Sequence, residues 1–550
     1  MTRQTGTLTD GEAKTYDVLI VGAGFAGLYM LHRLRQIGLS AVVLEAASGI
    51  GGTWYNNRYP GLRCDIESLL YSYSFDTELQ QEWKWSERYA AQPEILRYIH
   101  HVADRFDLRR DIQLDTRVST ATFDAERAQW KLATGDGDMF IGRYCVMATG
   151  CLSVSNFPFA DQIGAFDGEW HHTSAWPHEP VDFTGKRVGV IGTGSSGIQC
   201  IPLIADQAAH LTVFQRTATF AIPANNAPLD PAFEADIKSD YDAWRDKNRR
   251  GEIFGGGDLG WHGEGSKSLI ISALSLPAEE RREFYESHWQ RGGAHFAGAF
   301  PDLLVDAEAN ETAAQFVREK IHEIVKDPQT AETLSPQGFP IATKRLCVDT
   351  NYFATYNLPN VSLVDLKAEP IECITQTGIR TAAQDYSLDM IVFATGYDAM
   401  TGALLAMDIR GCGGIALREK WQSGPKTYLG LAIAGFPNLF TITGPGSPSV
   451  FTNMIMSIEQ HVDWIAHCLD YMRSQGLQVI EASEEAEENW VKHTAEVVSG
   501  TLFDRADSWY LGANIPGKPR VFMAYLGGVN AYSEKCDEVA STGYEGFRLT

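Results

Sequence analysis

Two short segments of this 550-residue chain have the glycine spacing that can hold the pyrophosphate of a dinucleotide. In such a turn the first glycine allows a sharp bend and the second lets the backbone approach the pyrophosphate. The third lets a helix pack closely on a strand, and the N-terminus of that helix attracts the phosphate charge. The glycines of these G-x-G-x-x-G segments are Gly22, Gly24 and Gly27 in the first, and Gly192, Gly194 and Gly197 in the second.

The residue at the end of the following strand indicates which dinucleotide each segment selects. In the first segment this residue is Glu45, whose carboxylate can accept bonds from both ribose hydroxyls and would repel a 2′-phosphate. In the second it is Arg216, whose guanidinium can grip a 2′-phosphate, with Lys344 as a candidate second cation. The pair predicts FAD at the first site and NADPH at the second. The alternative that Glu45 and Arg216 are solvated strand-end charges stays open.

Other residues beside these glycines are candidates for cofactor contacts. A glycine-rich run after the first unit places flexible backbone near the same cofactor. Small-residue turns at 148–150 and 394–396 suit crossings of the chain between two nucleotide-binding domains, although purely structural turns would also explain them. The candidate contacts are Gly52, Thr53 and Trp54 at the first site, and Ser195 and Thr217 at the second.

Each glycine segment lies inside a strand–helix–strand pattern. Residues 16–21 form a run typical of a buried strand, residues 25–38 have helical periodicity, and residues 41–44 form a second strand. The same order recurs over residues 187–214. The sequence therefore predicts an α/β fold with two doubly wound, Rossmann-like dinucleotide-binding domains.

The predicted boundaries give two discontinuous domains and an insertion. Residues 225–334 are rich in charge, Trp and Gly and lack strand alternation, so we expect a mainly helical insertion there. We assign residues 1–155 and 388–550 to the FAD-binding domain and residues 156–224 and 335–387 to the NADPH-binding domain. One long helix is predicted over residues 449–475.

The composition excludes several other classes of protein. The formal net charge of −24 opposes binding to nucleic acid or to an anionic membrane. The nine cysteines include no C-x-x-C pair and predict reduced thiols. Residues 1–15 lack the apolar run of a signal peptide, and no stretch is apolar enough to span a bilayer. We expect a cytoplasmic protein without nucleic-acid, membrane or metal partners; its oligomeric state stays open, a monomer included.

A third motif lies between the two glycine segments. Residues 166–177 read F-D-G-E-W-H-H-T-S-A-W-P, with the spacing F-x-G-x-x-x-H-x-x-x-W-P. This motif between two dinucleotide fingerprints makes the chain resemble the type I Baeyer–Villiger monooxygenases. The similarity also covers residues 51–65, 344–347, 435–447 and 508–520. The residues of the motif are Phe166, Gly168, His172, Trp176 and Pro177.

The resemblance implies an activity and a mechanism. Members of that family use NADPH to reduce FAD, form an anionic C4a-peroxyflavin with O2, and insert oxygen beside a ketone carbonyl to give an ester or lactone. Arg345 matches the family's active-site arginine, whose constant charge would stabilise the peroxide anion. Asp65 matches the aspartate that orients it, and Trp509 matches a tryptophan that contacts the nicotinamide cofactor. Asp65 and Arg345 are thus both catalytic and cofactor-binding candidates.

Structural alternatives to these matches stay open. Arg345 and Asp65 would also suit an ordinary ion pair, and Trp509 would suit core packing. For His172 the resemblance implies a role in positioning the linker between the domains rather than acid–base chemistry. The whole motif is therefore assigned to domain positioning.

The resemblance also suggests where a substrate binds. The loop at 446–454 is similar to the longer version in phenylacetone- and steroid-oxidising members, which implies room for aryl or bulky cyclic ketones. Asn56 stands where relatives usually have Trp, which weakens the transfer of a substrate by analogy. The candidate pocket residues are Ser449, Val450, Phe451 and Met454. For Phe451 and Met454, packing in a helix core is the alternative.

Two other functions fit part of the pattern. Flavin monooxygenases that oxidise amines or sulfides share the architecture, but Trp176 and Pro177 favour the Baeyer–Villiger side. A redox sensor that binds flavin and NADP without turnover would need neither Asp65 nor Arg345. The sequence therefore predicts an NADPH-dependent flavin monooxygenase of Baeyer–Villiger type, whose partners are a small-molecule ketone and O2.

Overall fold

The computed structural model describes residues 14–252 and 271–550. The polar N-terminal residues 1–13 and residues 253–270 of the predicted insertion lie outside the described part. Within it, two large sheets each contain a strand–helix–strand unit with a glycine turn. The predicted α/β fold with two dinucleotide-binding units is confirmed.

The N-terminal part builds most of the first sheet. Its elements are β1 (Lys14–Val21), α1 (Phe25–Gln36), β2 (Ala41–Leu44), α2 (Thr53–Asn56), α3 (Thr77–Glu82), α4 (Gln92–Arg105), β3 (Ile112–Gln113), β4 (Val118–Asp124), β5 (Gln129–Thr134) and β6 (Met139–Met147). β1 pairs in parallel with β2 and β6, because its last four residues are apolar and buried on both faces. β4, β5 and β6 form an antiparallel meander.

The second unit repeats this construction. Its first elements are β7 (Glu169–His172), β8 (Arg187–Ile191), α5 (Ser195–Ala205) and β9 (His210–Gln215). β8 and β9 pair in parallel, so both carboxyl ends meet at one edge of the sheet, beside the N-terminus of α5.

The described residues of 225–334 form α-helices joined by loops. The segment is flanked by a short parallel pair of strands, β10 and β11. The elements are β10 (Ala221–Pro223), α6 (Pro231–Ser239), α7 (Tyr241–Arg249), α8 (Ala278–Arg291), α9 (Ala307–Ile324), α10 (Pro328–Leu334), β11 (Cys347–Asp349) and α11 (Tyr352–Thr355).

One predicted domain boundary is too early. The chain returns to the second sheet with β12 (Val361–Asp365) and β16 (Met390–Phe393). Between them, β13 (Ile371–Thr375), β14 (Gly378–Thr381) and β15 (Asp385–Ser387) form a separate antiparallel sheet. β16 pairs with β7 and β8, giving the order β12-β9-β8-β16-β7. The second unit therefore extends past residue 388, because its sheet needs this buried strand in its interior.

The C-terminal part returns to the first sheet. Its elements are α12 (Gly402–Leu405), β17 (Asp408–Arg410), α13 (Leu417–Lys420), β18 (Leu439–Thr441), α14 (Met454–Gln475), β19 (Ile480–Ala482), α15 (Glu484–Val498), α16 (Val529–Ser541) and β20 (Phe547–Leu549). β17 joins β4 and β18 joins β6, while α14 packs on α1. Among the described helices, none is long and apolar enough to cross a membrane.

The long C-terminal helix begins later than predicted. Residues Ser449–Phe451 form a 3₁₀ turn, and α14 starts at Met454. Asn453 is the N-cap, and its Oδ1 accepts a hydrogen bond from the backbone N–H of Ile455 at 3.0 Å. This cap fixes the start of the helix and separates it from the turn.

Candidate active site

The first glycine turn leaves no room for a side chain at two of its glycines. Gly22 has a φ of +106°, and a Cβ there would lie 2.5 Å from the carbonyl oxygen of Ala148. A Cβ at Gly27 would lie 1.9 Å from the carbonyl oxygen of Gly22. The small-residue turn at 148–150 therefore closes over the glycine turn, and α1 packs tightly against it.

Two backbone segments face each other in front of this turn. Gly24 is the N-cap of α1 without a capping side chain, and a Cβ on it would lie 3.6 Å from the Cα of Gly52. The uncapped helix N-terminus between glycines is a backbone cradle of the kind that holds a pyrophosphate. These residues, here named the first cradle, fit FAD. Beside them Thr53 is exposed, whereas Trp54 is buried and donates Nε1–H to the hydroxyl of Tyr71 over 3.1 Å.

Glu45 lies at the end of β2 with its carboxylate turned toward the glycine turn. The side chain is buried. Its Oε2 accepts from the backbone N–H of Ala23 at 2.7 Å, and its Oε1 accepts from the N–H of Ala47 at 2.8 Å. Each oxygen keeps capacity for a further donor such as a ribose hydroxyl. Glu45 is therefore not the solvated strand-end charge that the sequence left as an alternative.

The second glycine turn repeats this geometry at α5. A Cβ at Gly192 would lie 2.4 Å from the carbonyl oxygen of Ala394, and one at Gly197 would lie 2.2 Å from the carbonyl oxygen of Gly192. By contrast, a Cβ at Gly194 would meet no atom within 4 Å. The open backbone at Gly194 and the exposed Ser195, here named the second cradle, fit the pyrophosphate of NADPH.

Two cations lie beside the second cradle. Arg216 follows β9 and is exposed, while Lys344 lies over the ring of Phe339 with Nζ 4.6 Å from the centroid. Neither forms a hydrogen bond or ion pair with any residue of 14–252 or 271–550. Burial lowers the pKa of Lys344, Asp507 raises it, and Arg216 lowers it further. Two cations that form no ion pair within the described segments fit a phosphate, and the half-buried Thr217 adjoins them.

Arg345 and Asp65 form an ion pair across 280 positions of sequence. Both Nε, at 3.1 Å, and Nη2 donate to Oδ2 of Asp65, while Nη1 donates to the carbonyl oxygen of Val450 at 3.3 Å. The side chains remain 31% and 25% exposed, so the pair faces open space. The carboxylate of Asp65 raises the pKa of Arg345 above its ordinary value. The site therefore holds one permanent positive charge in a fixed orientation.

An apolar cluster adjoins this ion pair. The carbonyl group of Val450 that accepts from Arg345 connects the two. Burial raises the pKa of Cys151 to about 11, and Arg345 is close enough to lower it. The buried members of the apolar cluster are Cys151, Ala399, Met400 and Met523, and the half-buried side chains packed on them include Val450, Met454 and Trp509. The structure thus brings three of the predicted residues together beside Arg345.

Two predicted pocket residues point elsewhere. Ser449 has no exposed surface, and its Oγ approaches Sδ of Met400 at 4.0 Å. The prediction that Ser449 lines the pocket is wrong for this conformation, because the 3₁₀ turn directs its side chain inward. The ring of Phe451 packs on Tyr510, with centroids 4.5 Å apart, and on Phe522 at 5.4 Å. Phe451 therefore has the packing contacts that the sequence left as its alternative.

The motif at 166–177 contains β7, the edge strand of the second sheet, and the residues that flank it. A Cβ at Gly168 would lie 2.3 Å from Cζ of the buried Phe166, so only glycine fits. His172 ends β7, with Nε2 3.0 Å from Oγ1 of Thr395 and Nδ1 accepting the N–H of Ser174 at 3.1 Å. Burial lowers the pKa of His172, which favours its neutral form. These contacts connect β7 to the turn at 394–396.

The last residues of the motif also pack within this region. The buried ring of Trp176 lies 5.0 Å from the ring of His171 and 6.3 Å from that of Phe183, between centroids. Pro177 follows and is half-buried. The motif's described contacts therefore support positioning, whereas the ion pair lies on other segments.

Sequence reasoning missed several residues around the ion pair. Tyr510 is buried beside Arg345, and burial raises its pKa to about 12. Cys151, Met400 and Met523 form the centre of the apolar cluster but belong to no motif. In the sequence, two of these residues stand beside predicted site segments: Tyr510 follows Trp509, and Cys151 follows the turn at 148–150.

Over residues 14–252 and 271–550, no group of three or more His, Cys, Asp or Glu side chains is placed to hold a metal ion. All nine cysteines are free.

Comparison with known proteins identifies the family. The flavin-binding monooxygenase-like family matches residues 15–228. The chain is 43% identical to a phenazine N-monooxygenase of Lysobacter antibioticus, with 98% of each chain covered. It is 42% identical to a Baeyer–Villiger monooxygenase of Pseudooceanicola batsensis, with 96% of this chain and 95% of that protein covered. A solved structure of oxidized steroid monooxygenase bound to NADP has a TM-score of 0.91 at 52% identity, covering 98% of this chain and 99% of that one.

The chain therefore belongs to the flavin-binding monooxygenase family, within the group of Baeyer–Villiger monooxygenases. The family predicted from the motif between two dinucleotide fingerprints is confirmed, as is the assignment to an NADPH-dependent flavin enzyme. A non-catalytic redox sensor is excluded by the same relationships.

Proposed function

We propose that this protein is an FAD- and NADPH-dependent monooxygenase that uses O2 to convert ketones into esters or lactones. The observation that carries the proposal is the partly exposed Arg345–Asp65 ion pair beside an apolar cluster. Two dinucleotide cradles on the same chain and similarity to Baeyer–Villiger monooxygenases over almost the full length support it.

The chain's residues fit both cofactors. Bound FAD, once reduced by NADPH, supplies the activated oxygen of such a reaction. Gly24 and Gly52 would hold its pyrophosphate, and Glu45 would accept bonds from its ribose hydroxyls. Arg216 and Lys344 would bind the 2′-phosphate of NADPH, since neither forms an ion pair within the described segments.

Arg345 would stabilise negative charge on oxygen at the reacting centre. Addition to a ketone turns the carbonyl oxygen into an oxyanion, and a preorganised cation lowers the energy of that state. A guanidinium cannot lose its proton in the working pH range, so the charge is constant. Removing one such group typically costs about 10²–10³ in kcat.

Asp65 would orient Arg345 rather than react itself. Of the five N–H groups of the guanidinium, two donate to Asp65 and one donates to the carbonyl group of Val450. Because these three bonds fix the plane of the guanidinium, its remaining N–H groups keep one direction, and the side chain of Tyr510 lies next to the guanidinium.

The apolar cluster would bind the hydrocarbon part of the ketone. Val450, Met454 and Trp509 are half-buried on its surface, and the thioether of Met454 can adapt to irregular shapes. We therefore propose aryl or bulky cyclic ketones as substrates. The 52% identity to a steroid monooxygenase supports this choice.

A second candidate function is oxygenation of a nitrogen or sulfur atom. A relative of 43% identity is a phenazine N-monooxygenase, and an apolar pocket accepts amines and sulfides as readily as ketones. The two candidates differ in their need for Arg345, because oxygen transfer to nitrogen or sulfur leaves no carbonyl oxyanion to stabilise.

We further propose that the enzyme works in the cytoplasm. All nine cysteines are free and seven of them are buried, which suits a reducing compartment. A fractionation of the source cells, followed by immunodetection, would contradict this proposal if the protein were found outside the cytoplasm.

Product analysis under ¹⁸O2 tests the proposed reaction. The FAD-loaded enzyme with NADPH is given phenylacetone, a steroid ketone, cyclohexanone or a tertiary amine, and products are analysed by mass spectrometry. We expect a labelled ester or lactone from at least one ketone. Labelled N-oxide without any labelled ester would replace the proposal with the second candidate. NADPH consumption that yields only hydrogen peroxide would contradict both.

A further inference from the structure

A cavity of about 300 Å³ lies between the two dinucleotide-binding units. One wall is formed by residues 61–64 of the first unit, and the second by the C-terminal half of α5. The third wall is formed by residues 348–358, which include α11. This space, here named the interdomain cavity, exists only where the three segments meet.

The interdomain cavity is separate from both cradles. α5 begins at the second cradle, but the cavity is lined by Pro202, Leu203 and Asp206 at the other end of the helix. At 1.5 Å per residue, Asp206 lies about 17 Å along the axis from Ser195. The lining includes none of the residues assigned above to cofactors, to catalysis or to the ketone pocket.

The walls of the interdomain cavity are mainly apolar. Leu203 is 41% exposed and Leu358 is 38% exposed, which is high for large apolar side chains, and both line the cavity. Pro202, Val348 and Ala354 complete this surface. Concave apolar surface of this kind favours an apolar ligand, and the volume suits a molecule of about one or two rings.

The charge in the interdomain cavity comes from Asp206. Its side chain forms no hydrogen bond or ion pair within the part of the chain that the structure describes. The other lining residue with a full charge, Arg63, is paired with Glu87 and donates to the carbonyl group of Tyr89 at 2.9 Å. Asp206 is exposed, and an unpaired carboxylate at the edge of the cavity favours a cation.

We propose that the interdomain cavity binds a small lipophilic amine. Its ammonium group lies at Asp206, and its hydrocarbon part lies between Leu203, Val348 and Leu358. The lining residue Cys64 precedes Asp65, and Val348 follows Arg345 by three positions. A ligand here contacts the segments that carry both members of the ion pair, so its binding is linked to the geometry of that pair.

Calorimetric titration of the FAD-loaded, NADP⁺-saturated enzyme with 4-phenylbutylamine tests the proposal. We expect saturable binding at one site, and binding of 4-phenylbutyrate that is weaker by about tenfold or more. Asp206→Asn removes the charge and should weaken amine binding about fivefold or more. Leu203→Trp fills the cavity and should abolish binding. Leu114→Trp is the control, since Leu114 is 38% exposed and lies outside the lining.

Each contrary result has a defined meaning. The proposal is overturned if no saturable amine binding appears at millimolar concentration, or if the carboxylate binds as well as the amine. It is also overturned if Leu203→Trp binds normally while retaining FAD, or if Leu114→Trp loses binding to the same extent. Displacement of the amine by the ketone substrate in direct competition would assign the binding to the active site instead.

Discussion

The two residues that end the cofactor-selecting strands differ in how they are held. Glu45 is buried, and both of its oxygens accept backbone N–H groups. Arg216 is exposed and has no ion pair within the described segments. A neutral ribose diol is recognised by acceptors in fixed positions, whereas a phosphate dianion is recognised by a cation that can close on it. We propose that this difference allows one chain to distinguish FAD from NADPH.

Arg216→Ala should weaken NADPH binding and leave NADH binding almost unchanged. Loss of a charge-assisted contact costs about 1.5–3 kcal/mol, which corresponds to roughly 10- to 150-fold in KM for NADPH. Steady-state kinetics with each coenzyme measure the ratio. Arg110→Ala, at an exposed arginine in the first unit, is the control and should change neither value. Equal losses for both coenzymes in Arg216→Ala would count against a contact with the 2′-phosphate.

A buried histidine determines part of the pH dependence of stability. His461 is fully buried, its Nδ1 accepts the N–H of Thr443 at 2.8 Å, and its Nε2 lies 2.9 Å from the hydroxyl of Tyr532. Burial lowers the pKa of His461 from 6.5 to about 3. The folded protein keeps the ring neutral, whereas the unfolded chain binds a proton below pH 6.5. Stability is therefore lost as the pH falls from 6.5 toward 3.

We expect this histidine to remove about 2 kcal/mol of stability between pH 7 and pH 5. His461→Gln has no such proton linkage, so its free energy of unfolding should fall by less over the same interval. Urea unfolding followed by tryptophan fluorescence at both pH values measures the difference. Identical losses in the variant and the wild type would rule out His461 as the source.

At the scale of elements, the glycine turns and their flanking strands follow from the sequence, because local spacing and periodicity determine them. Two features do not follow. A run of buried apolar residues looks the same in either sheet, so the sequence places β16 on the wrong side of a domain boundary. The start of α14 depends on the cap at Asn453 and on the 3₁₀ turn before it, which periodicity does not reveal.

Gly194 and Gly197 belong to one motif but should respond differently to substitution. Gly197→Ala forces a Cβ to within 2.2 Å of the carbonyl oxygen of Gly192, so it should cost about 1–3 kcal/mol in unfolding free energy. Gly194→Ala meets no protein atom within 4 Å and should keep the stability but weaken NADPH binding. Urea unfolding and coenzyme titration separate the two effects. The reverse pattern would contradict the assignment of packing to Gly197 and of cofactor approach to Gly194.

At the scale of the whole molecule, the candidate site could be only partly predicted. Candidate cofactor residues can be named from the sequence, because each glycine turn and its flanking strands are local in sequence. Arg345 and Asp65, 280 positions apart, were found only through family resemblance, since no periodicity relates them. Cys151, Met400 and Met523 were missed, because the apolar cluster forms only when separate segments meet.

A hydrogen-bonded contact between the two units should be measurable as a coupling energy. The hydroxyl of Tyr59 donates to Oε1 of Gln199 at 2.9 Å, and Nε2 of Gln199 donates to the carbonyl group of Arg63 at 3.1 Å. Gln199→Met leaves a buried hydroxyl without this acceptor, at a cost of about 1–3 kcal/mol. Tyr59→Phe in the same background should recover part of that loss. A double-mutant cycle in urea that gives additive effects would mean that the contact does not couple the units.

We propose that the positive charge of Arg345, oriented by Asp65, stabilises the oxygenation step. The yield of ester per NADPH consumed measures this contribution most directly. For Arg345→Ala, we expect flavin reduction to persist, more slowly, while ester yield falls about 100-fold or more and hydrogen peroxide replaces it. Arg110→Ala should retain the wild-type yield. A normal ester yield in Arg345→Ala would contradict the account.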